Sequence, residues 1–166
     1  LLLCLFANFN YAQVSLNNFG ITEVIPTHSR YTKFTQIDYN RDNLVDLFLY
    51  GNKEKSFVLH KGLTDSSFSD PIRKFFFYPI DDFKWLTKTK QKVDYYIFAS
   101  RNKRLVGLVS FTKSNSLQLL NTIEFNSYPS SIKIVDLDNN GKNEVLVFGN
   151  NFNGITLIDN DGYFLN

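Results

Sequence analysis

The sequence predicts an all-β fold, and three observations support this prediction. No stretch of the chain keeps a helical hydrophobic periodicity for three turns. β-branched and aromatic residues occur in short groups, and Asn, Asp, Gly and Ser separate these groups as turns separate strands. A pattern of strand, acidic loop and strand also recurs at intervals of about 50 residues. We therefore expect short antiparallel strands arranged in repeated units.

The composition is that of a folded domain of modest charge. The chain has 166 residues, of which 43% are hydrophobic and 16% aromatic, so it can form a substantial core. Its formal net charge of +2 is too small to indicate a nucleic-acid partner. The single cysteine, Cys4, excludes internal disulfides and cysteine-based zinc sites.

The N-terminal part of the chain is expected to lie outside the repeated units. Residues 1–7 form an apolar run that is too short to span a bilayer. We interpret residues 1–12 as the end of a secretory signal peptide, and the alternative is a buried first strand. Residues 13–29 form a separate segment with candidate strands at 14–16 and 21–25. The expected location is secreted, at the cell surface or periplasmic; outside the cell, calcium is near millimolar.

Strands and turns alternate through the rest of the chain. Candidate strands follow at residues 31–37, 47–50, 56–60, 92–98, 105–109 and 155–158. The sequence Asn-Asp-Gly at 160–162 is a strong hairpin signal. The aromatic run at 75–78 is interpreted as a further buried strand, and a platform for a ligand is the alternative. The basic stretch at 84–92 is interpreted as a solvated loop with Trp85 in the core, and binding of an anionic glycan is the alternative.

Two loops carry oxygen-bearing side chains at alternate positions. The first loop has Asp38, Asn40, Asp42 and Asp46, and the second has Asp136, Asp138, Asn140 and Glu144. Calcium takes six to eight oxygen ligands, and crowded carboxylates need a counter-charge. The alternative is a solvated turn without an ion. An EF-hand is excluded because its position-12 glutamate would fall on Leu49 and Val147, inside strand-like runs.

A third copy of the pattern lies between the two loops and has lost its ligands. When Asp94 is aligned with Glu144, the metal positions are occupied by Leu86, Lys88 and Lys90. We expect no bound cation in this copy, and its lysines supply part of the missing positive charge.

A unit of about 50 residues with roughly four strands has the size of a propeller blade. The sequence therefore predicts a partial β-propeller over residues 30–166, with blades at about 30–77, 78–126 and 127–166. Because three blades are too few to close a ring, further blades of a longer chain are expected as partners.

The acidic loops, the aromatic-glycine pairs after them and the late Asn-Asp-Gly turn resemble the FG-GAP or VCBS repeat family, which includes the propellers of integrin α subunits. The resemblance covers about residues 30–166. It implies that each loop binds Ca²⁺ through the side chains named above and the backbone carbonyls of Leu44 and Lys142. Asn43 in place of glycine and Glu144 in place of aspartate depart from the family pattern.

The resemblance implies a secreted, calcium-stabilised module that binds an extracellular protein or a glycan, as in cell adhesion. The alternative is the scaffold or substrate-binding part of a secreted carbohydrate-active enzyme. His28 and His60 are isolated, and no triad, phosphate-binding loop or zinc-protease motif is present in the sequence. We therefore expect a non-catalytic chain.

Overall fold

The structure is a computed structural model that describes residue 25 and residues 30–88 and 93–158. The expected signal peptide at 1–12, the segment at 13–29 except for residue 25, and the turn at 160–162 lie outside the described residues. Within the described part of the chain, no helix is both long enough and apolar enough to cross a membrane.

The described chain forms three antiparallel sheets, none of which closes into a barrel, and in each sheet the strands follow chain order. The first sheet contains β1 (Lys33–Ile37), β2 (Asp46–Tyr50), β3 (Ser56–His60) and β4 (Ile72–Phe75). The second contains β5 (Asp82–Lys88), β6 (Asp94–Ser100), β7 (Leu105–Phe111) and β8 (Leu117–Glu124). The third contains β9 (Tyr128–Val135), β10 (Glu144–Asn150) and β11 (Thr156–Ile158).

The predicted all-β class is confirmed. The first two sheets have four strands each, whereas the described part of the third has three. Residues after 158 lie outside the described part of the chain. The two acidic loops join the first and second strands of the first and third sheets, respectively.

The sheets pack face to face, so the middle sheet is covered on both faces. Phe48 of the first sheet stacks on Phe83 of the second with ring centroids 4.3 Å apart, inside an aromatic cluster. Successive side chains of a strand point to opposite faces, so Phe98 joins this cluster while Ile97 faces the third sheet. The second cluster is mainly aliphatic and includes Leu86, Val106, Leu108, Ile132, Val145 and Val147. Burial of each such side chain contributes roughly 1.5–3 kcal/mol.

The first strands of the three sheets approach one another, and polar groups join them. The Lys33 ammonium of β1 donates to the carbonyl of Asp81, which directly precedes β5. The Ile132 N–H of β9 donates to Asp82 Oδ2 of β5 at 2.8 Å. These bonds link the first strand of one sheet to the first strand of the next.

Two glycines allow the same close approach in the first and third sheets. A Cβ on Gly51 would lie 2.4 Å from the Arg30 carbonyl oxygen, and one on Gly149 would lie 2.1 Å from that of Tyr128. At the corresponding place the middle sheet has Ala99, which is fully buried. The first and third sheets therefore require glycine where the middle sheet accommodates a methyl group.

The interpretation of Trp85 as a core residue is wrong. Trp85 lies in β5, is 49% exposed, and donates its indole N–H to Asp94 Oδ1 at 3.2 Å. The strand continues through a β-bulge between Trp85 and Thr87 and ends at Lys88. The basic stretch predicted as a loop therefore begins inside a strand.

The aromatic run at 75–78 is not a buried strand. β4 ends at Phe75, and Phe75 and Phe77 are 62% and 72% exposed, with ring centroids 5.1 Å apart. Phe76, between them, is buried in the aromatic cluster. Because neighbouring side chains point to opposite sides of an extended chain, a core on one side cannot bury the whole run.

Candidate metal centre

The second acidic loop brings three carboxylates together. Asp136, Asp138 and Glu144 each offer an oxygen, and these oxygens lie within 4.8 Å of one another. Glu144 is buried at the start of β10, Asp136 is half-buried and Asp138 is exposed. Ligands of one calcium ion each lie about 2.3–2.6 Å from it, so two of them can be separated by up to about 5 Å. The three oxygens fit that limit.

The side chains of the second loop also hold its backbone. The Asp136 carboxylate accepts the N–H groups of Asn140 at 3.1 Å and Gly141 at 2.9 Å. Glu144 Oε2 accepts the Leu137 N–H at 2.7 Å. Gly141 has φ +82°, a conformation that glycine adopts readily and that turns the chain back toward β10.

Asn140 is hydrogen-bonded to both of its alternate neighbours in the loop. Its Nδ2 donates to Asp138 Oδ2 at 2.8 Å, and its Oδ1 accepts the Lys142 N–H at 2.7 Å. The carboxylate cluster therefore consists of Asp136, Asp138 and Glu144, with Asn140 bonded alongside it.

The first loop has the same backbone hydrogen bonds. Asp38 accepts the N–H groups of Asp42 and Asn43, each at 3.1 Å, and Asp46 Oδ2 accepts the Tyr39 N–H at 3.0 Å. Asn43 has φ +65° at the position of Gly141, and Asn tolerates this conformation better than most residues. The backbone of the two loops is thus held in the same way.

The carboxylates of the first loop have different surroundings. Lys61, which follows β3, places its ammonium 3.0 Å from Asp42 Oδ2. This hydrogen bond lowers the pKa of Asp42 and raises the pKa of Lys61. Asn40 Nδ2 and the Leu44 N–H also donate to the Asp42 carboxylate, each at 3.0 Å. The Asp42 carboxylate is therefore already well supplied with donors.

Asp46 is fully buried at the start of β2. Its carboxylate accepts the Tyr39 N–H at 3.0 Å and the Gly62 N–H at 2.8 Å. Burial raises the pKa of Asp46, and these two hydrogen bonds partly oppose the change. Over residues 30–88 and 93–158, the second loop is the place where three carboxylates converge within 4.8 Å; the acids of the first loop do not.

The middle sheet has a shorter connection in place of an acidic loop. Lys88 pairs with Asp94, so only residues 89–93 connect β5 to β6. Leu86 is fully buried in the core, while the Lys88 side chain and Lys90 lie outside the described residues. Asp94 receives Arg41 Nε at 3.1 Å. The first loop thus supplies a cationic partner to Asp94. The expectation that lysines of the middle copy replace the charge of a metal stays a prediction.

No protein-family model matches the chain, and comparisons with curated proteins and with solved structures find no match. The resemblance to FG-GAP or VCBS repeats therefore rests on the loops and their spacing, and it stays a prediction.

Sequence reasoning missed Lys61. Its partner Asp42 lies 19 positions earlier, and only the pairing of β2 with β3 brings the two together. The available signal was the expected hairpin between these strands, which places the residue after β3 beside the loop before β2.

Proposed function

We propose that this chain is a calcium-stabilised, non-catalytic binding module of the FG-GAP or VCBS type, secreted or at the cell surface. The observation that carries the proposal is the group formed by Asp136, Asp138 and Glu144 in a loop that joins two paired strands. Three carboxylates this close repel one another unless a cation or proton offsets their charge. An all-oxygen donor set suits a hard cation such as calcium. The ion would supply positive charge and fix the loop to β10.

A partial propeller is part of the same proposal. Consecutive propeller blades are sheets whose strands follow chain order and which pack face to face with their first strands close together. The three sheets have this arrangement. Arg41 of the first loop bonds Asp94 at the start of β6, and Asn143 of the second loop donates to the Leu86 carbonyl of β5, so both acidic loops contact strands next to the 89–93 connection. The acidic loops and the 89–93 connection would then form one loop-bearing surface.

Trp85 is the proposed contact for a ligand at this end of the sheets. Its ring is half exposed, and its orientation is fixed by the indole hydrogen bond to Asp94, which Arg41 also holds. A fixed tryptophan offers a large flat surface at low conformational cost. The apolar C–H face of a sugar ring packs well on such a surface, so we favour a glycan over a protein as the partner.

Removal of calcium tests the metal part of the proposal. An ion at ten times its Kd stabilises the fold by about 1.4 kcal/mol. For a chain of this size, the melting temperature should therefore fall by roughly 3–6 °C when EDTA replaces calcium. Asp136→Asn should abolish this difference, which can be measured by circular dichroism melts.

The matched control is Asp70→Asn, which neutralises an exposed acid outside both loops and should keep the calcium response. Equal melting temperatures of the wild type in calcium and in EDTA would contradict the metal site. A response that survives Asp136→Asn would place the ion elsewhere.

Substitution of Trp85 tests the binding part. On a glycan array, Trp85→Ala should lose most of the binding shown by the wild type, because the stacking surface is removed. Phe77→Ala, which removes another exposed aromatic ring, should bind as the wild type does. Unchanged binding by Trp85→Ala would contradict the assigned contact, and a wild type that binds no glycan would contradict the ligand class.

A further inference from the structure

We infer that Lys61 is the built-in cation of the first acidic loop, so that the second loop takes up calcium and the first does not. The inference rests on the proposed function, because it assigns calcium to one of two loops with the same backbone hydrogen bonds. It differs from what the sequence pattern implies, which is one ion in each loop. Lys61 is thus the residue that determines which loop is selective for the divalent ion.

The fold fixes Lys61 beside the loop. β2 pairs with β3 with Leu47 opposite His60, so the residue after β3 lies next to the loop before β2. The Gly62 N–H donates to Asp46 Oδ1 at 2.8 Å, which ties the Lys61–Gly62 turn to the base of the loop. A Cβ on Gly62 would lie only 2.2 Å from the Val45 carbonyl oxygen, so the two backbone segments are in direct contact.

The Lys61 ammonium contacts a predicted calcium ligand. Lys61 Nζ is 3.0 Å from Asp42 Oδ2, and Asp42 is one of the carboxylates that the alternate spacing assigns to the ion. A divalent ion entering the loop has to displace this ammonium or remain close to it. Because the lysine is part of the chain, it does not diffuse away, and its repulsion continues to oppose the ion. The Asp42 ligand position of the first loop is therefore paired with a cation without a metal.

The second loop differs at the equivalent place. Val145 pairs with Ile158 in the third sheet as Leu47 pairs with His60 in the first. The residue that follows Ile158 in the sequence is Asp159, where the first sheet has Lys61. In this loop the oxygens of Asp136, Asp138 and Glu144 converge within 4.8 Å, whereas the acids of the first loop do not. Three carboxylates this close repel one another and favour a cation between them.

Calcium titration of variants in which the second loop is disabled tests the inference. Isothermal titration calorimetry with calcium chloride should find one ion in the wild type and none in Asp136→Asn. In Asp136→Asn/Lys61→Gln one ion should appear, because the tethered charge no longer repels it. A further Asp38→Asn change should remove this ion.

Two controls test whether the effect requires loss of the positive charge and whether the lost charge has to be the one at position 61. In the Asp136→Asn background, Lys61→Arg keeps a cation at Asp42 and should bind no ion. Lys53→Gln removes an exposed lysine elsewhere and should also bind none. Circular dichroism melts in EDTA show that each variant is folded before titration.

Two results would overturn the inference. One is an Asp136→Asn variant that still binds an ion and loses it when Asp38→Asn is added. The first loop would then bind calcium beside Lys61. The other is a folded Asp136→Asn/Lys61→Gln that binds no ion. Neither result affects the assignment of calcium to the second loop, which is contradicted instead if the wild type and Asp136→Asn bind calcium equally.

Discussion

The two acidic loops have the same backbone hydrogen bonds, but their carboxylates have different surroundings. In the first, Asp42 faces the Lys61 ammonium, and Asp46 is fully buried between two N–H donors. In the second, three carboxylates converge, and Glu144 accepts a single N–H. The comparison teaches that residues inside a loop determine its shape, whereas residues outside it determine its charge balance.

The largest expected difference in stability is between substitutions of the two buried carboxylates, Asp46 and Glu144. Asp46→Ala leaves the N–H groups of Tyr39 and Gly62, both buried residues, without their partner, which costs roughly 2–6 kcal/mol. Glu144→Ala frees only the N–H of Leu137, an exposed residue that water can reach, which costs about 1 kcal/mol. Urea unfolding in EDTA measures both free energies without a contribution from a bound ion.

Glu124→Ala, which removes an exposed carboxylate at the end of β8, serves as the control and should change stability little. A loss at Glu144 equal to or greater than the loss at Asp46 would show that the two carboxylates support their loops equally, against the comparison drawn above.

A smaller effect appears in the dependence of stability on pH. The pKa of Asp42 is lowered by its hydrogen bond to Lys61, so its contribution is present above the ordinary value of 3.8 and is lost as pH falls below it. The pKa of Asp46 is raised by burial, so its contribution is present at low pH and is lost as pH rises through its folded pKa. The two neighbouring carboxylates therefore act in opposite directions.

Asp42→Asn should flatten the loss of stability on the acid side of 3.8, and Lys61→Gln should have the same effect because it removes the other partner. Urea unfolding at a series of acid pH values in EDTA measures the slope. The same slope in both variants as in the wild type would mean that the ion pair contributes nothing to stability.

Much of the fold followed from local pattern. Groups of β-branched and aromatic residues separated by turn residues predicted most strands to within a few residues, for example 56–60, where β3 is Ser56–His60. The spacing of Asp, Asn and Gly likewise marked both acidic loops. These features depend on residues close together in the sequence, so the sequence contains them directly.

Contacts between distant residues were not predictable in this way. Trp85 was placed in the core because the bulge after it and the continuation of β5 to Lys88 have no clear sequence signal. The pair of Arg41 and Asp94 joins neighbouring sheets, and Lys61 reaches Asp42 through the register of β2 and β3. Each of these contacts depends on how strands and sheets are placed, which the local pattern does not specify.

Trp85 is the chain's single tryptophan, and it shares Asp94 with Arg41 of the first loop. Its intrinsic fluorescence should therefore serve as a label-free reporter of that loop. A rearrangement that pulls Arg41 away from Asp94 would loosen the indole, expose it further to water and move its emission to longer wavelength. An ordinary fluorimeter can thus follow the first loop in the native protein.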